Sequence, residues 1–289
     1  MTAQALILLA LKASIVLSVF AIGLVSRVED TLFLLRRPGL LLRSVLAINV
    51  VMPLVAAAMA WRFDLPVAVE VALVALAVSP VPPLLPKKQI KARGEPSYAI
   101  GLLVGAALVA IVFVPIAVEL LGLAFQLPVH MNPWPIAKLV FATVLAPLLV
   151  GILVRRLTPE LAARFARPVG HVANIVLVLC FLAVLMTAWP AIVDLAGTGA
   201  FWAVAVFVGV GLAVGHWLGG PEPNDRTVLA LAAATRHPGV AMAISSANFP
   251  GFNAVLPAFL LYVVAGAVLA IPYVMWRKRA TEALSSRDR

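Results

Sequence analysis

The chain is divided into long apolar runs separated by short polar connections. Nine such runs can be drawn, each close to the roughly 20 residues that an α-helix needs to cross a bilayer. The sequence therefore predicts an all-α polytopic membrane protein with nine transmembrane helices in a single integral membrane domain, residues 1–289. The runs are residues 3–26, 40–61, 67–86, 98–123, 134–154, 169–189, 201–218, 228–248 and 255–276.

Composition excludes several other classes of protein. With 63% hydrophobic and 12% charged residues, the chain is too apolar for a soluble domain. The runs do not alternate with period two, which argues against an outer-membrane barrel. The single cysteine, Cys180, lies within an apolar run and permits neither a disulfide framework nor a cysteine metal site. We find no metal-ligand cluster, no paired carboxylates within the runs and no glycine-rich phosphate loop, so the prediction is a protein that is not an enzyme.

The positive charges indicate how the chain is oriented. The net charge is +10, and most of the 22 basic residues follow the first, third, fifth and seventh runs or lie in the carboxyl-terminal tail. By the positive-inside rule the carboxyl terminus is cytoplasmic, and nine crossings then place the amino terminus outside. This topology explains the basic loops without nucleic acid as a partner. We expect an integral protein of a bacterial inner (plasma) membrane, surrounded by the lipid bilayer.

The eighth run is interrupted at its midpoint by Thr235, Arg236, His237, Pro238 and Gly239. An arginine at the centre of a membrane helix costs about 2.5 to 3.5 kcal/mol on insertion scales, and proline and glycine break the helix there. In a bilayer such groups must face protein or water. The eighth run therefore predicts a broken helix at the functional centre of the protein.

The third run is also interrupted. Pro80, Pro82, Pro83 and Pro86 follow Ser79, and so many prolines cannot continue a helix because each lacks an amide donor. The two broken runs are five runs apart, so they cross the membrane in opposite directions, and each is the middle member of a trio. This pattern is typical of inverted-repeat transporters, in which two broken helices cross near the substrate site.

Helix ends at such a crossing carry partial charges that suit an anion or a coupling cation. A guanidinium can hold a carboxylate, sulfate or phosphate with two donors, and an imidazole could couple transport to protons. A structural role stays open for both side chains, with the arginine capping carbonyls of the broken helix or pairing with a buried acid. The candidate substrate-binding residues are Asn49, Ser79, Thr235, Arg236, His237 and Gly239.

Several short motifs, in this order and spacing, carry a resemblance to a known family. The motifs are Gly23-Leu24 to Arg37-Pro38, Met52-Pro53-Leu54, Ser79-Pro80, Thr235 to Val240, Leu256-Pro257-Ala258 and Trp276-Arg277-Lys278. With these motifs the chain resembles the bile acid:sodium symporter family over nearly its whole length, in the form that has nine helices. The resemblance implies a panel domain of residues 3–26, 134–154 and 169–189 and a core domain of the other six runs. It also implies an organic anion bound near the crossing and alternating access between core and panel.

The resemblance also implies sodium, yet the positions that hold it in the family have changed. After Ser-Pro the family usually has two glycines and small polar residues, where this chain has Val81 to Pro86. The family's Glu-Thr-Gly-x-Gln-Asn becomes Ala234 to Gly239. We therefore expect no cofactor and no metal site, with Arg236 supplying the charge that bound sodium gives in relatives. The sequence predicts a sodium-independent secondary transporter of a small organic anion.

Two other hypotheses are compatible with the same residues. The prolines of the third run would suit a uniporter resembling the auxin efflux carriers, which have crossed helices and no sodium sites. A non-transporting membrane receptor or scaffold derived from a carrier would also have lost the sodium ligands. A carrier exchanges its ligand across the membrane, whereas a receptor only binds it.

Overall fold

The structure is a computed structural model that describes residues 3–252 and 254–287, and in those residues it contains helices and no strand. In chain order the helices are α1 (Ala3–Gly23), α2 (Val28–Leu32), α3 (Pro38–Arg62), α4 (Val67–Val78), α5 (Leu85–Lys91), α6 (Pro96–Phe125), α7 (Pro133–Leu157), α8 (Pro159–Leu195), α9 (Phe201–Leu218), α10 (Pro223–Ala234), α11 (Pro238–Asn248) and α12 (Val255–Arg287). The all-α prediction is confirmed for this part of the chain.

Seven helical stretches among the described residues are long and apolar enough to cross a membrane. The predicted third run is not one of these seven because it is divided into α4 and α5. The predicted sixth and seventh runs fall in one stretch of 60 residues, Pro159–Leu218. At 1.5 Å per residue such a stretch is about 90 Å long, three times the thickness of a bilayer core. It bends at Gly199, whose φ of +86° is a backbone conformation that favours glycine.

Some helices extend beyond the apolar runs. Helix α8 begins at Pro159, ten residues before the predicted run, and contains Pro168 and Pro190. Helix α12 continues past Trp276 to Arg287. The basic residues in these extensions kept them out of a prediction based on apolarity, but their polar side chains are compatible with helix outside the hydrocarbon.

Helix α9 packs closely on α10 through a stripe of glycines that the sequence prediction missed. Gly211 and Gly215 are four residues apart and so lie on one face of α9, and Gly219 follows directly after its last residue. A Cβ at Gly215 would lie 2.5 Å from the Cα of Ala230, and one at Gly211 would lie 2.8 Å from the Cα of Ala234. The absence of side chains lets the two backbones approach, as in other membrane helix pairs. As a result, every residue of α10 from Thr227 to Ala233 is fully buried.

Helix α1 packs against α7 and α8 in a similar way. Gly23 and Gly151 face each other, because a Cβ on Gly151 would lie 2.8 Å from the Cα of Gly23. Two small apolar clusters form at this contact, one of which includes Ile100 of α6. The large cluster of α3 to α6 and α9 to α12 also takes in Ile136, Val140 and Val144 of α7 and Ile192 of α8.

We predict that Gly215→Ala lowers the melting temperature of the purified protein. The new methyl group would overlap the backbone of α10, and overpacking of this kind costs about 1 to 3 kcal/mol. The matched control is Gly209→Ala in the same helix, where a Cβ meets nothing within 4 Å. Because alanine is about 1 kcal/mol better than glycine in a helix, the control protein should melt at the same temperature as wild type or higher. Equal melting temperatures for the two variants would contradict the close packing.

Candidate functional site

The two broken stretches meet each other inside the protein. Residues 79–84 between α4 and α5 and residues 235–237 between α10 and α11 are not helical. Helix α4 packs with α11, and α5 packs with α10. At the meeting point the backbone N–H of His237 donates to the carbonyl of Pro80 at 2.9 Å and to Oγ of Ser79 at 3.1 Å. The first break therefore supplies acceptors for a backbone N–H that the second leaves free.

Arg236 lies at this junction and is 1% exposed. Its Nη2 donates to the carbonyl of Ala77 at 2.5 Å and to the carbonyl of Ile48. Ala77 is in the last turn of α4, where carbonyls have no partner within the helix. The guanidinium thus caps the end of the broken helix.

The second acceptor, the carbonyl of Ile48, is also free for a local reason. Residues Leu46–Val51 of α3 form a π-helical turn, in which the N–H of Met52 donates to the carbonyl of Ala47. In this register the next donor, for Ile48, would be residue 53, which is a proline without an N–H. Pro53 therefore leaves the carbonyl of Ile48 without a partner within the helix, and the side chain of Arg236 donates to it.

Hydrogen bonds to carbonyls compensate only part of the cost of burying this charge. Arg236 forms no ion pair with any residue that the structure describes. A hydrogen bond to a charged group contributes about 1.5 to 3 kcal/mol, so the two carbonyls offset part of the cost of an arginine in mid-membrane. Its Nε and Nη1 have no hydrogen-bond partner among the described residues. Because carbonyl groups carry no net charge, the positive charge remains at the crossing.

Tyr262 of α12 completes the junction, and the sequence prediction missed it. Its hydroxyl accepts a hydrogen bond from the backbone N–H of Arg236 at 2.9 Å and donates to the carbonyl of Ala234 at 2.8 Å. The hydroxyl thus joins the two backbone groups that the break in α10 and α11 leaves free. A tyrosine in the middle of the ninth apolar run was the available signal, because a buried hydroxyl needs a partner.

His237 caps the amino-terminal end of α11. Its Nδ1 accepts hydrogen bonds from the backbone N–H groups of Gly239 at 3.1 Å and Val240 at 3.4 Å. These are the amides that the sequence prediction offers to an anion. An Nδ1 that accepts two hydrogen bonds carries no proton, so protonation at this atom would break the cap. The geometry supports the structural role that stays open for His237 above.

The remaining predicted residues lie around this junction with different accessibility. Thr235 and Pro238 are half-buried, and Gly239 is exposed. Asn49 is half-buried beside Ile48 and lines a cavity of about 10 Å³, which is the size of one water molecule. A larger cavity of about 330 Å³ lies elsewhere and is lined by none of the six predicted substrate-binding residues. The prolines of the first break, Pro80, Pro82, Pro83 and Pro86, are buried or half-buried.

Comparison with known proteins gives the family. The model of the Sodium Bile acid symporter family matches residues 13–195, which is more than half of the chain. The chain belongs to the sodium bile acid symporter family. Comparison with individual curated proteins finds no match. The resemblance inferred from the sequence motifs is confirmed, and the protein is an integral membrane protein of a transporter family.

The range matched by the symporter family includes the first break and ends before the second. Ser79 and the prolines lie within it, whereas α10, Arg236 and α11 lie beyond residue 195. The half of the crossing that carries the guanidinium is therefore the half outside the matched residues. Over residues 3–252 and 254–287 no three His, Cys, Asp or Glu side chains are grouped as metal ligands would be.

We predict that Tyr262→Phe destabilises the protein more than Ser79→Ala does. Loss of the tyrosine hydroxyl leaves the N–H of Arg236 and the carbonyl of Ala234 buried without that partner, and an unsatisfied buried group costs about 1 to 3 kcal/mol. Loss of the serine hydroxyl leaves the N–H of His237 still bonded to Pro80, so its effect should stay below about 1 kcal/mol. Thermal unfolding of both variants in one detergent measures the difference, and the reverse order would contradict the assignment.

Proposed function

We propose that this symporter-family protein is a sodium-independent secondary transporter that moves a small organic anion by alternating access. The observation that carries the proposal is the fully buried guanidinium of Arg236, which donates to two backbone carbonyls at the crossing and has no acidic partner among the described residues. A fixed cation stands at the junction, and the family's name implies a bound sodium ion in relatives.

The carbonyls are the reason for comparing Arg236 with a metal ion. Hard cations bind oxygen ligands, commonly backbone carbonyls. The carbonyls of Ala77 and Ile48 come from two different helices, and a cation between them holds α3 and α4 together. In our proposal Arg236 does this permanently because its guanidinium stays protonated at any physiological pH. Transport would then need no sodium to assemble the site.

The anion is proposed to bind on the accessible side of the same junction. Thr235 is half-buried and Gly239 is exposed, and both are close in sequence to the buried guanidinium. Charge interactions are much stronger in a low-dielectric interior than in water, so Arg236 can favour an anion there without being exposed itself. The uncompensated charge supports an anionic substrate over a cationic one.

For the membrane arrangement we propose nine crossings. Five of the seven long stretches each cross once, the interrupted α10 and α11 cross together, and the stretch Pro159–Leu218 crosses twice with its bend at Gly199. The pair α4 and α5 supplies the remaining crossing. The amino terminus would be outside and the carboxyl terminus cytoplasmic. Alternating access would move a panel of α1, α7 and α8 against a core formed by the other helices.

The proposal is tested in proteoliposomes with labelled taurocholate as a large organic anion and labelled benzoate as a small one. We expect uptake of at least one of them, equal within about twofold when choline replaces sodium, since no coupling ion completes the site. Exchange of the label against the same unlabelled anion inside the vesicles distinguishes a carrier from a receptor, which would bind without exchange. Uptake that is lost in choline would contradict sodium independence.

The role of the charge is tested with Arg236→Ala. We expect uptake to fall more than about tenfold, because removal of one interaction of 1.4 kcal/mol or more gives this factor. Added guanidinium ion should restore part of the uptake by occupying the space left by the side chain. Arg62→Ala is the matched control, because Arg62 is exposed at the end of α3, and it should keep wild-type uptake. An Arg236→Ala protein that folds and transports normally would contradict the proposal.

A further inference from the structure

A cavity of about 330 Å³ lies between α4, α6 and α11. The end of α3 and the segment Leu127–Val129 after α6 complete its wall. Helices α4 and α11 are the two half-helices that pack together on one side of the crossing. The cavity is therefore next to the crossing and separate from the residues assigned to the anion.

Most of the cavity wall is aliphatic, with side chains from all three helices. Such a surface favours a compact apolar molecule, and 330 Å³ lies at the lower end of the roughly 300 to 1,000 Å³ typical of small-molecule sites. The aliphatic residues that define it best are Val71, Val74, Val78, Val118, Leu121 and Ile244.

One charged side chain, Glu70, lines this apolar cavity. Glu70 is in the first turn of α4, at the positive end of the helix dipole. Among the described residues it forms no ion pair. Glu70, Val74 and Val78 are four residues apart and so lie on one face of the helix, which places the carboxylate beside the apolar wall. A cation with an apolar body complements this surface.

The other polar groups of the wall are also compatible with a ligand that donates hydrogen bonds. Ser245 is 2% exposed, and its Oγ has no hydrogen-bond partner in the part of the chain that the structure describes. Asn248 is already occupied, because its Oδ1 accepts from the N–H of His130 at 2.6 Å and its Nδ2 donates to the carbonyl of Ile244 at 2.9 Å. A carboxylate and a hydroxyl are thus the groups left for a ligand, and both can accept.

The segment after α6 is held against the cavity by its own packing. A Cβ on Gly122 would lie 2.9 Å from the carbonyl oxygen of Leu127, so the absence of a side chain lets this segment lie directly on α6. The hydrogen bond from His130 to Asn248 attaches it to α11 as well. The cavity wall is therefore built from elements that are fixed to one another.

We propose that this cavity binds a lipophilic ammonium compound, a compact apolar molecule with one protonated amine placed at Glu70. The apolar body packs on the valines and Leu121, and the amine pairs with the carboxylate. A bound compound would contact both α4 and α11, the two half-helices that pack together beside the crossing. The site is distinct from the anion site proposed above.

Three probes with the same apolar body test the proposal: 1-adamantylamine, 1-adamantanol and adamantane-1-carboxylate. Each is titrated at pH 7.5 into the purified full chain in a neutral detergent, and binding is followed by calorimetry and by thermal shift. We expect the amine to bind at least tenfold more tightly than the alcohol and the carboxylate to bind more weakly than both. Equal affinities for amine and alcohol would overturn the proposal and would indicate that the cavity takes a lipid acyl chain. Tightest binding of the carboxylate would also overturn it.

Variants assign the amine to its partner. Glu70→Gln should reduce the affinity for 1-adamantylamine to that for the alcohol, whereas Glu119→Gln, a carboxylate paired with His130 and outside the cavity wall, should change neither. Val74→Trp should weaken binding of all three probes by occupying part of the cavity, and it provides a second test should Glu70→Gln not fold. An affinity for the amine that is unchanged by Glu70→Gln or by Val74→Trp would overturn the proposal. All of these readouts are independent of transport, so their failure leaves sodium independence untouched.

Discussion

The structure depends on how backbone groups find partners where two membrane helices are broken. Water cannot satisfy free N–H and carbonyl groups in the hydrocarbon region, so the protein must do so. The N–H of His237 donates to the carbonyl of Pro80. The hydroxyl of Tyr262 joins the N–H of Arg236 to the carbonyl of Ala234. The side chain of Arg236 donates to the carbonyls of Ala77 and Ile48. The two breaks are stable because each completes the other.

This arrangement explains how an arginine can be buried at mid-membrane although no carboxylate of the described residues pairs with it. Carbonyl oxygens replace an acidic partner. The carbonyl of Ile48 is free because Pro53 has no N–H, and the carbonyl of Ala77 is free because α4 ends one residue later. Carbonyls reduce the cost of burial without neutralising the charge. The crossing therefore keeps a positive electrostatic potential. The proposal that an anion binds without sodium rests on this potential.

Packing differs between the two sides of the crossing. Where α5 meets α10, α10 also packs closely on the glycines of α9 and is buried from Thr227 to Ala233. Where α4 meets α11, larger aliphatic side chains surround a cavity that Glu70 also lines. One side is thus covered by a closely packed helix, while the other has room for a small apolar molecule. A ligand in this cavity would contact α4 and α11.

The sequence by itself determined the helical class, the membrane setting and the positions of both breaks. Prolines at 80, 82, 83 and 86 and the group around Arg236 cannot occur in a regular membrane helix, so the local chemistry was sufficient. Only the tertiary structure decided that the guanidinium reaches Ile48 and Ala77, that Tyr262 bridges the break and that His237 caps α11. In the sequence, Ala77 and Ile48 are 159 and 188 residues away from Arg236, and Tyr262 is 26 residues away. A helix that is apolar on every side has little hydrophobic periodicity, so its sequence does not show how it is rotated about its axis or how deep it lies in the membrane. The contacts of Arg236, Tyr262 and His237 depend on both.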